Sequence, residues 1–178
     1  LENGARRVTT GARLFHPAVD GTGSTVIAVE RTGRFSRLVE IDPTHGERTP
    51  VYAPSERFLS MPALSRDGRF IAVVENDSGR QSIVVLERGE APSPRYAPVY
   101  RVNVGGERDA EYRPRFAAGR ELWFVADADG LLQLYRTTVP DSASPIPSIT
   151  RILTDQVGIV SGVPNGTGDI LYGTYRSH

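Results

Sequence analysis

Short apolar runs alternate with polar, glycine-containing stretches along the whole chain. Four runs consist largely of β-branched or aromatic residues and have the length of strands, too short for buried helices. They are VIAVE, FIAVVE, ELWFVAD and DILYGTY. No longer stretch has a convincing apolar period of about 3.6 residues. The pattern therefore predicts an all-β protein with almost no helix.

The apolar runs belong to longer units of similar organisation. The first three are followed by polar turns in which Gly can adopt positive φ: RTGRFS, NDSG and DADG. A third strand is predicted in RLVEID, SIVVLE and LQLYRTT, and a more polar fourth strand in RTPVY, VYRVNV and TRILTD. Each unit is therefore predicted to be a four-stranded antiparallel meander of roughly 45–50 residues.

The units align on a proline that precedes each apolar run. The aligned residues, separated by 45, 52 and 50 positions, are Pro17, Pro62, Pro114 and Pro164. This period is typical of propeller-type repeats. Because one such sheet cannot bury both of its faces, neighbouring sheets must stack, and radial stacking gives a β-propeller. The proline would begin the innermost strand, where a missing N–H costs little.

The repeats divide the chain into an arc of blades. Residues 1–10 are predicted to be the outer strand of a preceding blade, residues 11–54, 55–109 and 110–155 to be whole blades, and residues 156–178 the first half of another. A closed four-bladed ring would lack the third strand of its last blade. We therefore expect an excised arc of a longer propeller.

Composition limits the classes of function. The 21 acidic and 21 basic residues balance, so we expect no nucleic-acid partner. The absence of Cys excludes disulfides, thiolate catalysis and Cys-based zinc sites. No apolar run approaches the roughly 20 residues of a membrane span, so direct membrane insertion is not expected. The first residues, LENGARRVTTG, contain no apolar core of a signal peptide.

The second unit, MPALSRDGRFIAVVENDSGRQSIVVLE, resembles the TolB-type propeller repeat. The matching positions are Pro62, Ser65, Asp67, Gly68, Ile71, Ala72, Gly79, Ile83 and Val84. The other units match more loosely, and the third and fourth do not keep the Asp of the turn. Asp67 and Gly68 are interpreted as turn residues because the same place recurs as a turn in each unit.

The resemblance implies a binding platform of a periplasmic or cell-surface bacterial protein. Some relatives pair the propeller with a membrane-associated protein or barrel, and others place it before a serine peptidase of the prolyl oligopeptidase type. We expect a non-enzymatic protein-interaction module of the bacterial envelope, without a cofactor. The alternative is the propeller domain of a larger enzyme, which gates substrate access. The partner would be another protein or the rest of the same chain, and exposed blade faces could lead to self-association.

Four residues are candidates for partner binding. Arg113 and Arg115, with Tyr112, lie at the entrance to the third innermost strand, which borders the central funnel. Arginines there would suit carboxylate recognition, and the alternative is a salt bridge to an acid of a neighbouring blade. His16 precedes Pro17, where the other units have Met, Arg and Val. That variation also fits a structural role for His16.

Other motifs give no catalytic or metal site. There is no HExxH or G-x-S-x-G spacing. Residues 127–130, DADG, look like half a calcium loop, but a strand follows, and a hairpin turn is favoured. The Pro-rich segments 88–98 and 139–148 are predicted as extended loops between the third and fourth strands. They would shield an outer edge or present a partner surface.

Overall fold

The structure is a computed structural model of the chain, and it describes residues 7–89, 95–105, 110–140, 147–165 and 169–174. These residues contain fourteen strands and no helix. The strands are β1 (Leu14–Val19), β2 (Val26–Thr32), β3 (Phe35–Ile41), β4 (Arg48–Tyr52), β5 (Phe58–Leu64), β6 (Phe70–Asp77), β7 (Arg80–Arg88), β8 (Tyr96–Arg101), β9 (Ala110–Phe116), β10 (Glu121–Asp127), β11 (Leu132–Thr138), β12 (Thr150–Leu153), β13 (Ile159–Pro164) and β14 (Ile170–Thr174).

The strands form antiparallel sheets in sequence order. The first sheet contains β1–β4, the second β5–β8 and the third β9–β12, while β13 pairs with β14. The first strands β1, β5 and β9 contact one another in turn, whereas the outermost strands β4 and β8 meet less extensively. The sheets therefore converge at their first strands, which we call the inner side. The predicted all-β arc of four-stranded blades is confirmed.

The middle strands are apolar on both faces because each is packed between two neighbouring sheets. In β6, Val73 packs in one cluster with Val29 of the first sheet. Its neighbour Val74 packs in another cluster with Phe124 of the third sheet. Trp123, adjacent to Phe124, packs on the opposite side with Ile159 of β13. A continuous apolar run is thus what a strand inside a stack of sheets requires.

A hydrogen bond joins the first residue of β8 to the turn between β5 and β6. Gly68 has a φ of +69° there, and Ser65 hydrogen-bonds Asp67 with an Oγ–Oδ1 distance of 2.6 Å. The Tyr96 hydroxyl, buried in the core, donates to the Gly68 carbonyl oxygen at 2.8 Å. β8 starts at Tyr96, which pairs with Arg88 of β7. The predicted start at Val99 was therefore wrong.

The remaining predicted segments are only partly described. Of the predicted loop 88–98, residues 96–98 belong to β8 and residues 90–94 lie outside the described residues. Of the loop 139–148, residues 141–146 lie outside them too. Residues 7–10 are in no strand, and residues 1–6 of that predicted outer strand are likewise outside the description.

Candidate functional site

The first strand of each four-stranded sheet contains a bulge at the dipeptide that ends in the aligned proline. The pairing register shifts between Phe15 and Ala18 in β1, and at the matching places in β5 and β9. The residues before the prolines have φ values of +50°, +50° and +51°; they are His16, Met61 and Arg113. L-residues rarely adopt this conformation, and a following proline disfavours helical angles further. A bulge redirects a side chain away from the regular alternation of a strand. We call His16, Met61 and Arg113 the bulge residues.

The first two bulge residues, His16 and Met61, make contacts that join neighbouring sheets. His16 Nδ1 accepts a hydrogen bond from the backbone N–H of Met61, with an N–N distance of 3.2 Å. Met61, which is partly buried, packs against the apolar cluster between the second and third sheets. The first bulge residue therefore binds backbone, and the second contributes to packing.

The third junction is built differently. β13 packs against β10 and β11, and in the described part of the chain no contact comparable to those between β1, β5 and β9 joins β9 to β13. A pocket of about 340 Å³ lies there instead. Its lining consists of Arg113 and Arg115 on β9, residues 161–163 on β13 and residues 171–173 on β14. We call this the junction pocket.

A glycine allows β13 to lie this close to the third sheet. A Cβ atom on Gly162 would be only 2.6 Å from Cδ2 of Leu134, a fully buried side chain of β11. A larger residue would require the Leu134 side chain or β13 to move, since real carbon atoms do not approach so closely. Gly162 therefore allows β13, the wall opposite Arg113 and Arg115, to pack closely on β11.

Both arginines of the junction pocket are exposed, and neither makes an ion pair with any residue that the structure describes. Arg115 donates to the carbonyl oxygen of Pro114 at 3.2 Å. The salt bridge to a neighbouring blade, which the sequence offered as their alternative role, is not found within those limits. Two guanidinium groups thus line one pocket, and no carboxylate of the described ranges is paired with them.

Of the four candidate residues, the structure brings only Arg113 and Arg115 together. Tyr112 lies across from Val125 on β10 and is not part of the pocket lining. Burial, assisted by the nearby carboxylates of Asp127 and Glu111, raises the pKa of its hydroxyl. His16 lies at the first junction, where its Nδ1 is occupied by the Met61 N–H.

The opposite wall of the pocket contains residues that the sequence did not single out. Ser161 and Val163 come from β13, and Leu171 and Tyr172 come from β14. Leu171 is 72% exposed and Tyr172 45% exposed, and they lie on opposite faces of β14 because they are consecutive in the strand. Their one signal in the sequence is their place in the first two strands of the fourth repeat unit.

Other arginines are ion-paired to buried acids. Glu75, only 1% exposed, accepts from Arg57 at 2.7 Å, from Arg101 at 2.5 Å and from the Tyr52 hydroxyl at 3.0 Å. We call these four residues the Glu75 cluster. Burial is the largest influence on Glu75 and opposes its ionisation. The hydrogen bonds from Arg101, Arg57 and Tyr52 outweigh it, so the pKa of Glu75 lies below its usual value.

The first sheet has a similar arrangement, and the third does not. Glu30 accepts from Arg37 at 2.7 Å and from Arg48 at 2.5 Å. By the pairing register, the corresponding residue of the third sheet is Ala126, which lies across from Glu111 as Glu75 lies across from Leu59. Asp127 ends β10, and the connection to β11 that follows contains Asp129, which is ion-paired to Arg151.

The described ranges contain no group of three or more His, Cys, Asp or Glu side chains that could hold a metal ion. Within the same ranges there is no helix of the length and apolarity needed to cross a bilayer.

Comparisons with known proteins agree with the observed arrangement of the four-stranded sheets. No protein-family model and no curated protein matches the sequence. TolB from Acinetobacter baumannii superimposes with a TM-score of 0.67 and 16% identity over 90% of this chain and 37% of that one. The chain is an arc of a β-propeller. In fold it is TolB-like, as the second repeat unit indicated.

The propeller arc is also similar in fold to peptidases. A puromycin-hydrolyzing peptidase of Mycobacterium tuberculosis gives a TM-score of 0.66 at 16% identity, over 91% of this chain and 28% of that one. A structure from a study of two prolyl endopeptidases gives 0.64 at 13% identity, over 94% of this chain and 26% of that one. The arc therefore spans between 26% and 37% of these three structures. Identities at this level show the fold alone.

Proposed function

We propose that the propeller arc is a non-enzymatic protein-interaction module of a bacterial envelope protein, and that the junction pocket binds its partner. One observation carries this proposal. The first junction is bridged by His16 and the second is packed by Met61, but the third presents Arg113 and Arg115 to an open pocket. Arg113 and Arg115 have no acid partner among the described residues, so their charges would be free to bind a ligand from outside.

The composition of the pocket wall supports a protein ligand. Arg and Tyr are enriched at protein interfaces, and they are frequent among the residues that dominate binding energy. Tyr172, which is 45% exposed, lines the pocket together with the two arginines. Exposed apolar surface rimmed by polar groups is typical of interaction sites. The envelope location rests on the resemblance to TolB-type repeats.

Photocrosslinking in bacterial cells tests this proposal. Benzoylphenylalanine is placed at Tyr172 of the full-length protein, and at Phe58 as the control. The two aromatic side chains are matched in exposure, at 45% and 46%, but Phe58 lies on β5 and outside the junction pocket. We expect a protein adduct from position 172, recovered in the envelope fraction and absent from position 58.

The adduct must depend on the pocket itself. Replacing Arg113 and Arg115 with Gln should remove it, because the two charges line the same pocket as residue 172. The proposal is contradicted if positions 172 and 58 give the same adducts, or if the position 172 adduct survives the double substitution.

A second candidate is the propeller domain of a larger serine peptidase of the prolyl oligopeptidase type. The observation that favours it is the fold similarity to two peptidase structures, of which this chain covers 26% and 28%. A fluorophosphonate probe applied to the full-length protein separates the two candidates. Covalent labelling of a serine outside this arc, with hydrolysis of a prolyl peptide, would favour the peptidase. No labelling would favour the binding module.

A further inference from the structure

Asp-Gly dipeptides occur three times in the chain, at Asp20–Gly21, Asp67–Gly68 and Asp129–Gly130. We propose that, of the three, only Asp129 isomerises readily to isoaspartate in the folded chain, so that the turn between β10 and β11 is a site of spontaneous covalent modification. The contrast between the three glycine nitrogens carries this inference. The chemistry is independent of the proposed partner binding.

Isomerisation needs a free glycine nitrogen beside a carboxyl carbon. The amide of Gly130 loses its proton to solvent, and its nitrogen attacks Cγ of the protonated Asp129 carboxyl group. A succinimide ring closes as the new C–N bond forms and water leaves. Water then adds to a ring carbonyl, and opening at the main-chain carbonyl gives isoaspartate. The water that leaves is returned and no electrons are transferred, so the mass of the chain is unchanged.

In the first two dipeptides the glycine nitrogen is already occupied. The N–H of Gly21 donates to the carbonyl oxygen of Arg66 at 2.9 Å, and the N–H of Gly68 donates to that of Ser65 at 2.9 Å. Each nitrogen must lose its hydrogen bond before it can attack, which requires local opening of the turn. These two sites are therefore protected by the fold.

The carboxylates of the same two sites are also held in place. Asp20 Oδ1 accepts from the backbone N–H of Ser24 at 3.0 Å. Asp67 Oδ1 accepts from the Ser65 hydroxyl at 2.6 Å and from the Arg69 N–H at 3.1 Å. The bond from Ser65, followed by that from Arg69, lowers the pKa of Asp67. The protonated carboxyl group that the reaction needs is thus rare there.

The turn at Asp129–Gly130 lacks this protection. The Asp129 side chain is 62% exposed, and among the described residues no hydrogen bond occupies the Gly130 nitrogen. In the corresponding connection of the second sheet, between β6 and β7, the Gly79 N–H donates to Asn76 Oδ1 at 2.9 Å. A Cβ atom on Gly130 would meet no atom within 4 Å, so the turn has room to rearrange for ring closure.

An ion pair at this turn slows the reaction and is lost when it occurs. Asp129 is paired with Arg151, so the carboxylate must leave the guanidinium before the ring can close. Isoaspartate has an additional methylene in the main chain, which displaces the carboxylate. Arg151 keeps its other contact, since it donates to the Tyr135 hydroxyl at 3.1 Å. Modification would therefore release a positive charge that remains in place.

Ageing of the folded 178-residue chain at neutral pH tests the inference. Peptide mapping with electron-transfer fragmentation distinguishes isoaspartate from aspartate at each site. We expect isoaspartate at position 129 to accumulate about fivefold faster or more than at positions 20 and 67, where a hydrogen bond must open first. Mapping by site is required because Asn3–Gly4 and Asn165–Gly166 also yield isoaspartate, by deamidation.

The chain unfolded in urea supplies the intrinsic rates. There the three dipeptides should isomerise at similar rates, because no turn restrains them. The ratio of the unfolded to the folded rate gives the protection at each site, and it should be smallest at position 129. Equal protection at all three sites, or isoaspartate at position 129 in the unfolded chain alone, would overturn the proposal.

Substitutions separate the turn chemistry from general ageing. Asp129→Glu should abolish isomerisation at this turn, because the larger ring closes far more slowly, and should leave positions 20 and 67 unchanged. Arg151→Gln should accelerate it about twofold to fivefold, as expected for loss of an exposed ion pair. Arg136→Gln is the matched control, because Arg136 is exposed on the same sheet and is paired with Glu121. Equal rates in the two arginine variants would contradict the role of Arg151, and circular dichroism melting verifies that both fold.

Discussion

The Glu75 cluster and the junction pocket both contain two arginines, yet the two regions use them in opposite ways. In the cluster, Arg57 and Arg101 converge on one buried carboxylate oxygen of Glu75 at 2.7 and 2.5 Å. In the pocket, Arg113 and Arg115 lie near each other without any acid from the described chain. The first arrangement stabilises the junction of two sheets, and the second leaves positive charge available.

The Glu75 cluster and the junction pocket differ because only the cluster contains a buried acid, not because their arginines differ. Glu75 belongs to a middle strand between two sheets, so its charge is buried and must be compensated. No buried acid of this kind is paired with Arg113 or Arg115 in the described residues. All basic residues of the chain are Arg, so residue type alone could not distinguish the two regions.

The largest expected effect comes from removing both cations of the Glu75 cluster. Arg57→Ala/Arg101→Ala leaves an uncompensated carboxylate that is 1% exposed, and should lower the free energy of unfolding by about 3–5 kcal/mol. Denaturation with urea measures the loss. Glu75→Gln should cost less, about 1–3 kcal/mol, because Arg57 and Arg101 are partly exposed and can be solvated. A greater cost for Glu75→Gln would contradict this account.

A smaller change in the free energy of unfolding is expected at the arginines of the pocket. Here the backbone conformation, rather than the charge, determines the stability. Arg113→Gly should stabilise the chain by about 1 kcal/mol, since glycine adopts a φ of +51° without strain. Arg115→Gly, outside the left-handed region, should destabilise it by about 0.5–1 kcal/mol. Arg113→Ala keeps the strain and serves as the control. Equal stability of Arg113→Gly and Arg113→Ala in urea denaturation would rule out strain at this position.

The smallest effect is a difference in pH dependence. Folding lowers the pKa of Glu75, so the carboxylate stabilises the fold fully above its usual value of 4.5, and this contribution is lost as the pH falls through the folded pKa. The loss in the free energy of unfolding caused by Glu75→Gln should therefore become smaller below pH 4.5. Urea denaturation at a series of pH values measures it. The double substitution Arg113→Gln/Arg115→Gln should leave the dependence of the unfolding free energy on pH unchanged in this acidic range. A cost of Glu75→Gln that is constant with pH would contradict the ionised cluster.

The repeat and its middle strands could be predicted from the sequence because their cause is local. The apolar runs around Val29, Val73 and Phe124 are packed on both faces, and a strand of this kind must be apolar throughout. The start of β8 could not be predicted, because Tyr96 pairs with Arg88 across a proline-rich segment whose composition favours a loop.

The candidate site was predicted only in part. The repeat placed Arg113 and Arg115 on an inner strand, but they are the fourth and sixth residues of β9 rather than its entrance. The bulge did not follow from the repeat, because a residue before proline usually stays extended and no glycine indicates a positive φ. The absence of an acid partner depends on how β13 packs on β10 and β11, which the sequence does not specify. Tyr112 was grouped with the arginines because it precedes Arg113 in the chain, although its side chain is not part of the pocket lining.

The bulges before the prolines have a consequence for how such a molecule can evolve. His16, Met61 and Arg113 occupy one backbone geometry but differ in charge, size and polarity. Their side chains are exposed or only partly buried, so exchanging them need not open a cavity in the core. Selection for new specificity can therefore act at one residue per blade while the apolar strands stay under separate selection for stability.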